Sequence, residues 1–147
     1  EGEVEKIDFR STLIRRFDKA PIYVPNSVLS DSEIINFSAM PYRRIRFHVG
    51  LIYSTSPETI MKIRTDIETY IEKNKNLVNS DEISSTIRVT NFNDSSIDML
   101  VNCFTKSTKW HDFCIAREEL ILEIMRIVQK NGSDFAFPTR TIHLEKD

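Results

Sequence analysis

The chain has 147 residues, 40% of them hydrophobic and 29% charged, a mixture that can bury a core and does not match the profile of disorder. With 20 basic residues against 22 acidic ones the formal net charge is −2, so no global positive field draws the chain to nucleic acid or anionic lipid. Cys103 and Cys114 are the only cysteines, too few for a disulfide framework and without the paired spacing of a zinc site, which suits a reducing cytosol.

From the N-terminus, Val4 to Phe9, Thr12 to Phe17 and Pro21 to Val24 read as strands, with a polar turn at Asp18 and Lys19. There is no initiator methionine, and Glu1-Gly2-Glu3 leads straight into a strand-like pattern, so the chain reads as a piece of something longer. Pro25, Asn26 and Ser27 break the run as a turn. Ser30 to Glu33 is then expected to form one helical turn and Ile34 to Phe37 a last short strand. The result is a small all-β unit over residues 1–40.

Met40-Pro41 marks a boundary, because the residue before a proline is pushed out of the helical region. A second unit begins near Tyr42, with Ile45, Phe47 and Val49 alternating against Arg44, Arg46 and His48, so one face is buried and one wet. Ser56 as N-cap, Pro57 at the first helical position, and Ile60, Ile63, Ile67, Tyr70 and Ile71 at helical spacing predict a helix to about Asn74. Thr86 to Phe92 and Ile97 to Phe104 form an expected antiparallel hairpin about the Asn93–Ser96 turn.

Trp110, Phe113, Leu120, Ile121, Ile124, Ile127 and Val128 mark a second amphipathic helix with Trp110 as a core anchor, stopped by Asn131 and Gly132. Its greasiest run, Leu120 to Val128, contains Glu123 and Arg126 and is far short of the roughly 20 apolar residues that cross a bilayer. Phe135-Ala136-Phe137-Pro138 and an alternating run from Thr139 to Glu145 end the chain. The order from residue 41 to 137 and into that run is βαββαβ, the ferredoxin-like arrangement, so the fold class is α+β. Residues 138–147 are read as a separate C-terminal strand.

Chemistry is thinly supported. His111, Asp112 and Cys114 lie on one helical turn and point in different directions, and a chain with three glycines offers no glycine-rich oxyanion or phosphate loop. His48 and His143 have no sequence-near metal partners. Neither an enzyme nor a cofactor is expected.

Specific residues point to a family. Arg10, Thr12, Ile14, Arg15 and Asp18, then Val24-Pro25-Asn26-Ser27, Ile35-Asn36-Phe37-Ser38, Arg43-Arg44 and Phe135 to Pro138 resemble, in order and spacing, the small-conductance mechanosensitive channel (MscS) family, over Val4 to Leu144. Lys19 and Ala20 depart from it, standing where a glycine or asparagine is common. The resemblance implies an Sm-like β domain, then an α/β domain, in a heptamer of identical subunits forming a cytoplasmic vestibule with side portals. The membrane helices implied upstream would put the full protein in the inner (plasma) membrane, where tension opens a path for ions and small solutes to relieve hypo-osmotic stress.

By the same resemblance the loop Pro25, Asn26 and Ser27 touches the pore helix; on turn chemistry alone it is an ordinary turn. Arg43, Arg44 and Arg46 would rim a portal and favour anions; on alternation alone they are a solvated strand face. Thr141, Ile142, His143 and Leu144 would join six copies in a parallel barrel, or else complete the subunit's own sheet as its edge strand. A nucleic-acid or small-ligand-binding module on the same folds is the alternative function, against which stand the acidic balance and the lack of a paired aromatic-basic strand pattern.

Overall fold

The computed structural model describes residues 1–80 and 83–139. The chain divides into two compact units, Glu1–Ala39 and Met40–Asp147. The expected run Thr139 to Glu145, with Thr141, Ile142, His143 and Leu144, lies outside the described residues from Arg140 onward.

The first unit is an antiparallel meander of β1 (Gly2–Ile7), β2 (Ser11–Arg16) and β3 (Pro21–Pro25), in that spatial order. Gly2 is required by the β1–β2 pairing, since a Cβ there would meet the Arg15 carbonyl oxygen at 2.6 Å. The turn between β2 and β3 places Lys19 at φ 69, with its N–H on the Arg16 carbonyl.

Two expectations in this unit fail. The helical turn falls on α1 (Asn26–Ser30), directly after Pro25, rather than on Ser30 to Glu33. Pro25 supplies an extended backbone at φ −56, ψ 136 ahead of the first turn, and the Asn26 N–H is held by the Arg10 carbonyl. The strand expected over Ile34 to Phe37 is absent; Asn36 Oδ1 instead accepts the Ser38 N–H at 3.0 Å, and Phe37–Ala39 winds into one 3-10 turn. An asparagine bonding its own backbone two residues on offers an alternative to a ladder.

The second unit is α+β as expected, with β4 (Arg43–Leu51), α2 (Pro57–Lys73), β5 (Thr86–Phe92), β6 (Ile97–Thr105) and α3 (Trp110–Lys130). The sheet order is β4-β6-β5, all antiparallel, the first, third and second strands of a split βαβ. At the outer edge of β4, Phe135 bridges Leu51 and the Ala136 N–H reaches the Gly50 carbonyl at 3.0 Å, so the returning chain begins on the edge a fourth strand would take.

Periodicity explains the packing. Ile45, Val49 and Leu51 on β4 and Ile97, Met99, Val101 and Cys103 on β6 face the helices, which return Ile63, Ile67 and Ile71 from α2 and Phe113, Leu120, Ile124 and Val128 from α3. Each such aliphatic side chain contributes about 1.5–3 kcal/mol on burial. Ser56 caps α2 by accepting the Thr59 N–H, and Asn131 ends α3 while donating from Nδ2 to Asp66 on α2. Gly132 follows at φ 73, a left-handed position suited to glycine.

Candidate functional site

In the first unit Asn26 is consumed by its own fold. Its Oδ1 accepts the Thr12 hydroxyl at 2.8 Å, and its Nδ2 donates to the carbonyls of Asp8 at 2.9 Å and Phe9 at 3.3 Å. The side chain thereby ties the β1–β2 turn, β2 and the start of α1 together. Pro25 and Ser27 are exposed beside it. Asn26 and Ser27, expected with Pro25 to form a turn, instead open α1, and the polar side-chain atoms of Asn26 are already engaged.

The rest of that unit is nearly coreless. Thr12, 4% exposed, is its one buried residue among those described, while Ile7, Phe9 and Phe17 stand in solvent, Phe9 at 96% exposure. Every residue of β1 is exposed.

The three arginines do not act alike. Arg44 and Arg46 are exposed on the sheet face away from the helices, opposite Phe104 and Asn102 of β6, with exposed His48 next along that row. Arg43 belongs to the other row, in line with Ile45. Its guanidinium lies 4.7 Å from the Trp110 ring and 5.0 Å from the Phe113 ring, and Nη1 donates to the Thr108 carbonyl at 3.3 Å. Trp110 is therefore no core anchor: it is 58% exposed, stacked on Phe113 at 5.5 Å and covered by Arg43. No sequence signal connects Arg43 with Trp110, because the pair forms only once β4 and the start of α3 are brought side by side.

His111, Asp112 and Cys114 do not form a linked group. Asp112 accepts the Ser107 hydroxyl at 2.7 Å, and His111 and Cys114 are exposed without a hydrogen bond to it or to one another. Burial pushes the Cys103 thiol up to about 12, which leaves it protonated and unreactive at neutral pH. Among the described residues there is no group of three or more His, Cys, Asp or Glu placed to hold a metal ion. Nor is any described helix long and apolar enough to cross a membrane.

Residues 45–135 match the family described as "Mechanosensitive ion channel MscS, C-terminal", and residues 1–39 match "Mechanosensitive ion channel, beta-domain". The chain belongs to the MscS family. That family is one of ion channels and not a class of enzymes. Among its relatives, the low conductance mechanosensitive channel YnaI of Escherichia coli is 38% identical over 146 residues, 99% of this chain and 41% of the relative. An uncharacterised MscS family protein of Aquifex aeolicus is 34% identical over 145 residues, 99% of this chain and 39% of its own. The chain thus spans about two fifths of the length of these relatives.

The fold agrees with solved MscS structures. The closed-state Helicobacter pylori MscS superimposes with a TM-score of 0.81 at 24% identity, over 99% of this chain and 55% of that one. Arabidopsis thaliana MSL1 gives 0.84 at 22% identity, over 94% and 49%.

Proposed function

We propose that this chain is the cytoplasmic vestibule portion of a channel subunit, assembled with identical copies into a heptamer beneath membrane helices, which opens under tension and relieves hypo-osmotic stress. The observation that carries this reading is the coreless first unit. A 39-residue sheet that buries one threonine and exposes Ile7, Phe9 and Phe17 cannot offset its own conformational entropy, and units below about 40 residues depend on disulfides, metals or oligomerisation. Further protein of the same assembly would supply the cover it lacks. The names of relatives such as YnaI supply the channel class.

Tension gates such an assembly because its closed and open states differ in in-plane area, and an applied force shifts only equilibria whose states respond to it differently. In this scheme Arg44 and Arg46 rim a side portal and raise the local concentration of permeating anions, while Arg43 holds the rim strand against Trp110. Pro25 and Ser27 meet the pore helix, with the Asn26 side chain fixing the start of α1. Thr141, Ile142, His143 and Leu144 join their copies in a parallel barrel, in which a lone strand satisfies its backbone groups. No cofactor or nucleic acid enters this scheme.

The test is patch recording of the full-length channel in liposomes under suction, with native mass measurement of the same preparation. Current that rises with tension from an assembly of seven copies is expected. A preparation that assembles and passes no current at any tension short of patch rupture overturns the reading. At the rim, Arg44→Glu with Arg46→Glu shifts the reversal potential away from anions in an asymmetric salt gradient, more at low ionic strength; an unchanged potential removes the portal role.

A further inference from the structure

The chain sets an asparagine before a glycine once, at Asn131-Gly132, where α3 ends. This pair is the most reactive setting for an asparagine side chain, because the next backbone nitrogen can attack the side-chain amide carbon and glycine has no Cβ to hinder it. The bond from that carbon to Nδ2 breaks, Nδ2 leaves as ammonia with the proton of the attacking nitrogen, and a five-membered succinimide remains. Water then opens the ring at either carbonyl and leaves aspartate or isoaspartate. Water is the only co-reactant.

The fold holds this reaction back at both atoms. Asn131 Nδ2 donates to the Asp66 carboxylate on α2 at 3.0 Å and to the Ile127 carbonyl at 2.9 Å, which turns the amide back along α3, away from the nitrogen that would attack it. The Gly132 N–H is itself engaged, on the Gln129 carbonyl at 3.0 Å. Gly132 is exposed, and a Cβ built there would meet nothing within 4 Å, so hydrogen bonds and not packing keep the pair apart. Helix ends open locally far more often than whole domains unfold.

The product does not fit the place of the reactant. Aspartate here puts a carboxylate oxygen where Nδ2 stands, 3.0 Å from Asp66 and 2.9 Å from the Ile127 carbonyl, so two donated bonds become two repulsive contacts. Asp66 is in no ion pair among the described residues, and the C-terminal end of a helix disfavours negative charge. We propose that Asn131 is a spontaneous deamidation site gated by opening of the last turn of α3, and that the carboxylate gained against Asp66 keeps that turn from closing again. The step runs one way, so it records openings of the contact between α2 and α3.

The full-length protein, held at mildly alkaline pH and digested at intervals, tests this by mass spectrometry of the peptide that holds Asn131. Amide-to-acid conversion there is expected to run about tenfold or more faster in urea than in the native protein, since opening limits the native rate. Equal rates in the two states overturn the gating, and no conversion in urea overturns the site. Hydrogen exchange of the amides from Ile127 to Ser133 reads the consequence. Asn131→Asp speeds exchange more than Asn131→Ala, which loses the same two bonds and adds no charge. Adding Asp66→Asn to Asn131→Asp brings exchange back to the Asn131→Ala rate or below it. Exchange in Asn131→Asp no faster than in Asn131→Ala means that the new charge does nothing, which overturns the one-way closure.

Discussion

The Thr12 hydroxyl donates to Asn26 Oδ1 at 2.8 Å across fourteen positions of sequence, and Thr12 is the one buried residue described in the first unit. A sheet without an apolar core is thus pinned at its centre by a polar contact. Each such hydrogen bond contributes about 1 kcal/mol net, and a donor or acceptor left buried and unmatched costs more. Asn26→Ala removes three of these bonds and is expected to cost about 2–3 kcal/mol. A Thr12→Val and Asn26→Ala double-mutant cycle should return a coupling near 1 kcal/mol. The readout is hydrogen exchange of the amides from Asp8 to Asn26 in the assembled protein; unchanged protection in Asn26→Ala contradicts the pin.

Lys19 occupies a left-handed backbone position at φ 69 in the β2–β3 turn, where its N–H and carbonyl are both engaged, the carbonyl by Arg15 Nη1 at 3.1 Å. A side chain with a Cβ is strained there by roughly 1–2 kcal/mol, and asparagine tolerates the region better. Lys19→Asn is expected to stabilise the first unit by about 0.5–1 kcal/mol, and Lys19→Gly by less because glycine loses more backbone entropy on folding. Exchange protection of β2 and β3 should rise in the order Lys, Gly, Asn. A fall for Asn means that the turn is not strained.

Arg43 is a stacking residue rather than a free charge. Lysine has no planar guanidinium to lie over Trp110 and Phe113, so Arg43→Lys is expected to lose about 1 kcal/mol in denaturant unfolding of the second unit. The same variant should weaken the near-ultraviolet circular dichroism of Trp110, the chain's only tryptophan. Arg44→Lys, on the open sheet face, is expected to change neither. Equal effects from the two variants would show that the stacked contact contributes nothing.

Much of this was legible in the sequence, and the exceptions have physical causes. β4, α2, the β5–β6 hairpin and α3 were readable because each buries one face of its own, so Ile45, Ile63 or Leu120 recurs with the period of its element. Ile34 to Phe37 misled because adjacent isoleucines favour strands, yet the Asn36 side chain captures its own backbone first. Trp110 misled because it follows the apolar spacing of α3, while Arg43, 67 positions earlier, covers it from another element. In the first unit the strand-like runs were visible, but such runs cannot tell whether the covering surface belongs to the same chain or to another one.

The two cysteines should behave oppositely. Burial raises the Cys103 thiol from 9.0 to about 12, whereas Cys114 is exposed on α3. In the native protein at pH 8, iodoacetamide is expected to modify Cys114 and spare Cys103, with both reacting in denaturant. Because the folded state holds the Cys103 proton more tightly than the unfolded one, the associated stability is complete below pH 9 and is lost as pH rises from 9 toward 12. Cys103→Ala should flatten that part of the stability profile. Modification of native Cys103 at a rate like that of Cys114 would refute its burial.

Two truncations separate the C-terminal segment's local role from its role in assembly. Up to Ala136 the chain belongs to the sheet edge: Asp134 accepts the Ile52 N–H at 3.2 Å, Phe135 bridges Leu51, and Ala136 donates to Gly50 at 3.0 Å. Beyond it, the Thr139 N–H on Ser95 Oγ at 3.2 Å is a surface contact to the hairpin turn. Pro138 has no N–H with which to continue a ladder. Deleting residues 138–147 is therefore expected to leave the circular dichroism of helix and sheet unchanged, and to weaken the oligomer by native mass measurement if Thr141 to Leu144 pair with their copies. Deleting residues 134–147 should also lower the stability of the second unit by about 2–4 kcal/mol, since it strips ladder bonds and uncovers Leu51. A shorter deletion that abolishes the helix and sheet signal would mean that the terminal strand belongs to the subunit's own core, and an unchanged oligomer would remove the barrel.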